Sequence, residues 1–401
     1  MAVLIPNVCV CFAYNPVFFE LYSDNHQTAY FYVFDENDNT IGILTKDCIE
    51  ETVKFDISAI LRTMFKDNET SLRVVNIETP YASATKNTIQ CVPFKVGYRF
   101  DIIKEITTYP KTYYAVNAVG QLGDKTNYLF DNSGRFLTDS KSIKKYPNFP
   151  LDVGVASFVL NTGSAYNYYR TEKRGLVFVT DEGAVDYTLD EIYQSNVSDI
   201  DGQRGTTLYD IIGKGRNWTP NFQGIYNIQI EASDGSYVYI ERWANDGVGV
   251  APHVITARRR LNIEQKDCIP ENPMYIRWLN VYGGFDYQMF GVRQYNIKEL
   301  SEVAFIERYI EDVTNSTMKT VAIHPKGRDK IRIGAEGLTD NEINVLSQIV
   351  YSPFIQRYDT DKKKWFNVYI DNSSLEVDNG IHTHDIELEL IINNNRYMQT
   401  L

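Results

Sequence analysis

The sequence predicts a mainly β protein with a few short helices, an α+β chain with β-sandwich-like ends and a central all-β sandwich. Three observations predict it. The chain of 401 residues carries 29 Tyr and 20 Phe, residues that suit pleated surfaces and interfaces. Short apolar runs recur between turn residues at fairly regular spacing, a sandwich rhythm rather than a βαβ one. Helical periodicity is confined to two short stretches. With 43% hydrophobic and 23% charged residues, the composition is that of a globular chain, long enough for about two or three domains. Residues 1–80, 81–260 and 261–401 are the expected divisions.

In the first division, Tyr30-Phe31-Tyr32-Val33-Phe34 and Ile41-Gly42-Ile43-Leu44 flank the polar run Asp35-Glu36-Asn37-Asp38-Asn39, which predicts a hairpin. The polar run mimics half of a calcium loop. It lacks the sixth-position glycine and the twelfth-position Glu, so a hairpin loop is the reading preferred. Apolar residues at 57, 60, 61, 64 and 65 predict a short helix, with Asp56 placed to cap it.

In the second division, Asp131-Asn132-Ser133-Gly134 and Asp181-Glu182-Gly183 predict turns after Tyr128-Leu129-Phe130 and Leu176-Val177-Phe178-Val179. Ser233-Asp234-Gly235-Ser236 predicts a hairpin between Tyr226–Ile230 and Tyr237–Ile240. Tyr146-Pro147-Asn148-Phe149-Pro150 reads as a linker or as a loop crossing between sheets.

In the third, Thr339-Asp340-Asn341-Glu342 is a capping box. It opens a helix whose stripe is Ile343, Leu346, Ile349 and Val350, with Pro353 after its end. Lys364–Ile370 and His384–Ile391 read as strands, the latter alternating acid and aliphatic as a half-exposed strand does.

Charge and cysteine usage narrow the function. A net charge of -12 and a pI near 5.0 disfavour direct nucleic-acid binding. The basic run Lys141-Ser142-Ile143-Lys144-Lys145 reads equally well as a solvated loop. The five cysteines, Cys9, Cys11, Cys48, Cys91 and Cys268, form no CxxC pair, so free, mostly buried thiols in a reducing cytoplasm are expected. No signal peptide is read at the start, and no apolar run reaches the ~18 residues of a membrane helix. No membrane insertion is expected.

A search for chemistry finds weak candidates. There is no GxSxG, P-loop or HExxH. Gly213-Lys214-Gly215 lacks the setting of a phosphate loop. His382 and His384 would share a face if both lay on a strand and are the candidate metal ligands; a polar turn entering the last strand is the bland alternative. No cofactor and no catalytic residue is assigned. Trp218, Trp243 and Trp278 are candidates for stacking on a host glycan, against a prior of core packing. A carbohydrate-binding module or adhesin is therefore the alternative function.

The densest feature is Ile276-Arg277-Trp278-Leu279-Asn280-Val281-Tyr282-Gly283-Gly284-Phe285-Asp286-Tyr287-Gln288-Met289-Phe290. It predicts two strands joined at Asn280–Gly284, because glycine reaches positive φ without cost. Either this is a packed aromatic turn, or Trp278, Tyr282, Gly283, Gly284, Phe285, Asp286 and Tyr287 form an interface plug.

This block resembles a W-x-N/L-x-x-G-G-x-D-x-x-x-F signature of uncharacterised structural proteins of Bacteroidetes phages and prophages. Phe55–Arg62 resembles a second block, and Leu338–Glu342 with Ser352–Ile355 and Lys364-Trp365 a third. The resemblance implies a tail or baseplate component similar to a distal tail protein. It implies tail-tube-like β regions, a projecting β domain and no enzymatic activity. It also implies a homo-oligomeric ring of roughly three or six subunits, neighbouring tail or baseplate proteins as partners, and assembly in the bacterial cytoplasm into the virion tail.

Overall fold

The computed structural model describes residues 3–4, 10–22, 28–48, 52–65, 84–86, 89–100, 105–120, 136–157, 164–171, 174–180, 183–188, 224–230, 236–245, 253–254, 259–301, 304–307, 320–323, 326–371 and 383–392. Among the described residues the fold is mainly β with two short α-helices. The chain divides into two compact units. The first holds residues 1–267, 278–287 and 351–353, and the second holds 268–277, 288–350 and 354–401.

The first unit begins with two sheets face to face. One has the order Val3–Leu4, Phe18–Tyr22, Thr52–Asp56. The other runs Val10–Phe12, Tyr113–Val116, Cys91–Arg99, Thr28–Phe34, Thr40–Asp47, with Thr107–Thr108 beside Cys91–Arg99. Alternation explains the layer between them. Phe19, Leu21, Val53 and Phe55 from one sheet meet Phe31, Val33, Phe94, Val96, Tyr113 and Ala115 from the other. Phe31 stacks on Phe55 with ring centroids 5.3 Å apart and lies 5.2 Å from Phe19, which meets Tyr113 edge-on at 5.4 Å; Tyr113 in turn stacks on Phe94 at 5.4 Å, favourable aromatic spacings.

The predicted first hairpin is present, with Tyr32 opposite Ile43. Asp35 organises its loop, its carboxylate accepting the backbone N–H groups of Asn37 and Asn39 at 2.9 and 2.8 Å. Helix α1 (Ser58–Met64) buries Leu61 in the same layer. Asp56 accepts the Ser58 N–H at 2.9 Å and the Val17 N–H at 3.1 Å, so it ties the helix start to a second segment. Burial pushes its carboxyl up, but these hydrogen bonds and Arg62 together outweigh it and hold the group below its ordinary value. Strand Thr28–Phe34 pairs with Cys91–Arg99, so the division expected at residue 80 runs through one sheet. The division expected at 260 lies close to the break at 267.

Two further sheets complete this unit. One runs Ser142–Lys145, Arg259–Gln265, Tyr237–Asn245, Ser164–Thr171, Arg174–Thr180, Gly183–Thr188, and the other Asp152–Ser157, Gly224–Gln229, Ala84–Lys86. Among the described residues, the two arms predicted to pair across Ser233–Ser236 do not pair with each other. Both arms are strands, but Gly224–Gln229 pairs with Asp152–Ser157 and Ala84–Lys86, whereas Tyr237–Asn245 pairs with Ser164–Thr171 and Arg259–Gln265. Alternation marks both arms as strands without naming a partner, and long-range partners won both. Tyr146–Pro150 is a loop crossing between these two sheets. The Lys145 ammonium is buried against the Tyr146 and Phe149 carbonyls. The turn at Asp131–Gly134 lies outside the described residues, as do Asp181 and Glu182 of the next.

The second unit is carried by a sheet of seven strands. Five lie wholly within it, in the order Ile355–Asp359, Lys364–Ile370, His384–Ile392, Lys326–Leu338, Val292–Ser301. Strand His384–Ile392 alternates as predicted, with His384, Ile386, Leu388 and Leu390 buried and Asp385 and Glu387 exposed. Helix α2 (Asp340–Ser347) starts at the predicted capping box, in which Glu342 Oε2 accepts the Thr339 N–H at 2.9 Å. Ile343, Leu346 and Ile349 are buried as the stripe requires. Thr339→Ala should cost about 1 kcal/mol in urea unfolding; an unchanged midpoint would deny the cap that role.

Of the described cysteines, Cys48 and Cys91 are buried, Cys11 is half-buried and Cys268 is exposed, and none of these four is in a disulfide; Cys9 lies outside the described residues. Burial pushes the Cys11 thiol above its ordinary range. No helix among the described residues is long and apolar enough to cross a membrane.

Candidate functional site

The aromatic–glycine block forms a hairpin of Met274–Leu279 and Phe285–Phe290. Its tip, residues 278–287, belongs to the first unit. The turn is wound around one side chain. Asn280 Oδ1 accepts the N–H groups of Tyr282 and Gly284, each at 3.0 Å, the Asx geometry that makes Asn a turn residue. Two backbone bonds close the turn, Asn280 N–H to Gly284 O at 2.9 Å and Gly283 N–H to Asn280 O at 3.0 Å.

Both glycines are demanded by their surroundings. Gly283 has φ +81°, and a Cβ there would lie 2.5 Å from Val116 Cγ1 and 3.2 Å from Ile225 Cδ1. At Gly284 a Cβ would lie 2.1 Å from the Leu137 carbonyl oxygen. Tyr282 packs on the cluster of Val10, Phe12, Cys91, Val116, Ala118, Leu137 and Ile225, and its hydroxyl donates to Asp139 Oδ1 at 2.9 Å.

The polar groups of the turn are met by residues far away in sequence. Gln90 Nε2 donates to Gly283 O at 2.8 Å, and Asn227 Nδ2 donates to Gln90 Oε1 at 2.5 Å. Asn280 Nδ2 donates to Leu137 O at 2.7 Å and to Asp286 Oδ2 at 2.9 Å. Thr138 Oγ1 donates to Asp286 Oδ1 at 2.5 Å and accepts the Ser140 N–H at 3.0 Å. Asp286 is thus a buried acid held by two neutral groups. Burial pushes its carboxyl up to about 7; the Thr138 and Asn280 bonds act against burial, and the nearby Asp139 charge adds to it. The chemistry this arrangement offers is the binding of one proton.

The residues expected as an interface plug are therefore used within the chain. Trp278, Gly283, Gly284, Phe285 and Asp286 are buried, and Tyr282 and Tyr287 are half-buried. The packed aromatic turn, the other reading of the block, accounts for their positions. Gln90, Asn227, Leu137 and Thr138 carry no motif; only the contacts reveal them.

In the second unit, Arg277 is fully buried with its guanidinium 4.1 Å from the Trp365 ring centroid. Its Nε and Nη2 donate to Gln356 Oε1 at 2.9 and 2.6 Å, and Gln356 Nε2 donates to Asn367 Oδ1 at 2.9 Å. His384 is buried with Nε2 2.9 Å from Asp340 Oδ1, while His382 lies outside the described residues. No group of three or more metal-ligating side chains occurs among the described residues. Of the candidate glycan-stacking tryptophans, Trp278 is 1% exposed and offers no face to a sugar. Trp218 lies outside the described residues, and only the backbone of Trp243 is described.

No protein-family model matches the chain, and no curated protein matches it. Among solved structures, the chain is similar to trypsin-activated alpha-2-macroglobulin from Escherichia coli at 9% identity, with a TM-score of 0.18. The match covers 91% of this chain and 25% of that one, and likeness at this level carries no argument.

Proposed function

We propose that this chain is a non-enzymatic structural protein of a virion, a component of a phage tail or baseplate that assembles through β-rich surfaces. The observation that carries the reading is the use made of the block that resembles the phage signature. Its glycines, Asn280 and Asp286 are committed to packing and internal hydrogen bonds, so the motif serves architecture. A surface suited to assembly supports the same reading. Among the described residues, strand Thr40–Asp47 ends its sheet, with Ile41 40% and Ile43 51% exposed, an edge of the kind that adds to other chains. A homo-oligomeric ring and neighbouring tail or baseplate proteins are the partners proposed, with the virion tail as the location.

Light scattering across a range of concentrations, with electron micrographs of the same fractions, tests it. A closed ring of roughly three or six subunits is the expected result. A strict monomer, both alone and mixed with the neighbouring proteins of its virion, would sink the reading.

A further inference from the structure

Asp286 stands apart from the other acids of the chain. It is 4% exposed, and its hydrogen-bond donors are the Thr138 hydroxyl and the Asn280 amide. Among the described residues no lysine, arginine or histidine pairs with it; the charged neighbour is a second acid, Asp139, which also takes the Tyr282 hydroxyl. Removing a carboxylate from water without a cation is costly, and the protonated form avoids that cost. The surroundings also suit a neutral acid. Thr138 Oγ1 lies 2.5 Å from Asp286 Oδ1, and a hydroxyl can accept as well as donate. A protonated Asp286 can donate to Thr138 from Oδ1 while Oδ2 still accepts from Asn280.

The same side chains fasten the hairpin tip. Asn280 holds Leu137 O, Asp286 and the N–H groups of Tyr282 and Gly284 at once. Ionisation of Asp286 is therefore felt at the centre of the turn.

We propose that Asp286, Thr138 and Asn280 form a proton-dependent latch that fastens residues 278–287 into the first unit, tight while the carboxyl is protonated and looser once it ionises. The direction follows from linkage. The closed latch holds the proton up to about pH 7, whereas a solvated carboxyl releases it near 3.8. The latch is at full strength below the solvated value. It weakens as pH rises between the two, and it reaches a constant lower strength above about 7.

Amide hydrogen exchange of the full chain tests this, read at Tyr282 and Gly284 and corrected for the intrinsic pH dependence of exchange. Protection should fall by up to about tenfold per pH unit between roughly pH 4 and 7 and then level off. Asp286→Asn supplies a permanently neutral group that can donate to Thr138 and accept from Asn280, so its profile should be flat over that window. Asp139→Asn removes the neighbouring charge and should move the levelling point to lower pH. A flat wild-type profile overturns the proposal, as does an Asp286→Asn profile that still slopes like the wild type. Should Asp286→Asn fail to fold, an unmoved levelling point in Asp139→Asn overturns it equally.

Discussion

Replacing Gly284 by alanine should destabilise the first unit by about 4 kcal/mol or more, a size reserved for a few mechanisms. The added methyl would lie 2.1 Å from Leu137 O, 2.7 Å from Leu137 Cβ and 3.0 Å from Leu137 C. Two of these atoms are backbone, so no rotamer change relieves the contact. Moving that backbone would disturb the bond from Asn280 Nδ2 to Leu137 O and the one from Leu137 N–H to Gly154 O at 2.8 Å. Gly337→Ala is the contrasting control. Gly337 has positive φ, +68°, which Gly284 does not, but a Cβ there meets nothing within 4 Å, so only the left-handed backbone cost of about 1–2 kcal/mol applies. Urea unfolding of both variants checks the pair. Equal losses would mean that close approach to Leu137 is not what requires glycine at 284.

Arg277→Met should destabilise the second unit by about 3 kcal/mol. The substitution removes a desolvated cation from the face of Trp365, worth about 2 kcal/mol. It also strips both guanidinium donors from buried Gln356 Oε1, and a stranded acceptor costs about 1–3 kcal/mol. Removing the stranded partner too should help, so Arg277→Met/Gln356→Leu should be less damaging than the sum of the two single changes. A double-mutant cycle by urea unfolding reads this coupling. Strict additivity would show that the Arg277–Gln356 bonds contribute nothing of their own.

The legible parts of the fold are those written in short-range pattern. The hairpin at Asp35–Asn39 could be read because its turn residues and both arms are contiguous. The helix after Thr339 could be read because a capping box is a local, reciprocal pair of hydrogen bonds. The alternation of His384–Ile392 was visible because one face of that strand is buried. The pairing of Gly224–Gln229 was not visible, since its partners at 152–157 and 84–86 are remote and an alternating strand accepts any alternating neighbour. The site was half legible. Two adjacent glycines among aromatics announced a tight turn between strands, and that turn exists. Its partners were hidden, because Gln90 lies 193 residues from Gly283 and Thr138 lies 148 from Asp286. No spacing rule reaches that far; only the packed chain brings an amide, a hydroxyl and a carbonyl to one bend.

The membership of residues 278–287 in the first unit bears on how the chain is made. They complete the packing of a unit whose other main stretch ends at residue 267. During synthesis from the N-terminus, Val116, Leu137 and Ile225 are all translated before Tyr282 and Gly283 arrive to cover them. The first unit therefore cannot finish as it emerges from the ribosome; its apolar bed and the Gln90 amide wait for a segment encoded later. Contacts of such sequence separation slow folding and prolong the exposure of sticky intermediates. A chain cut after residue 267 would be a unit with its keystone missing.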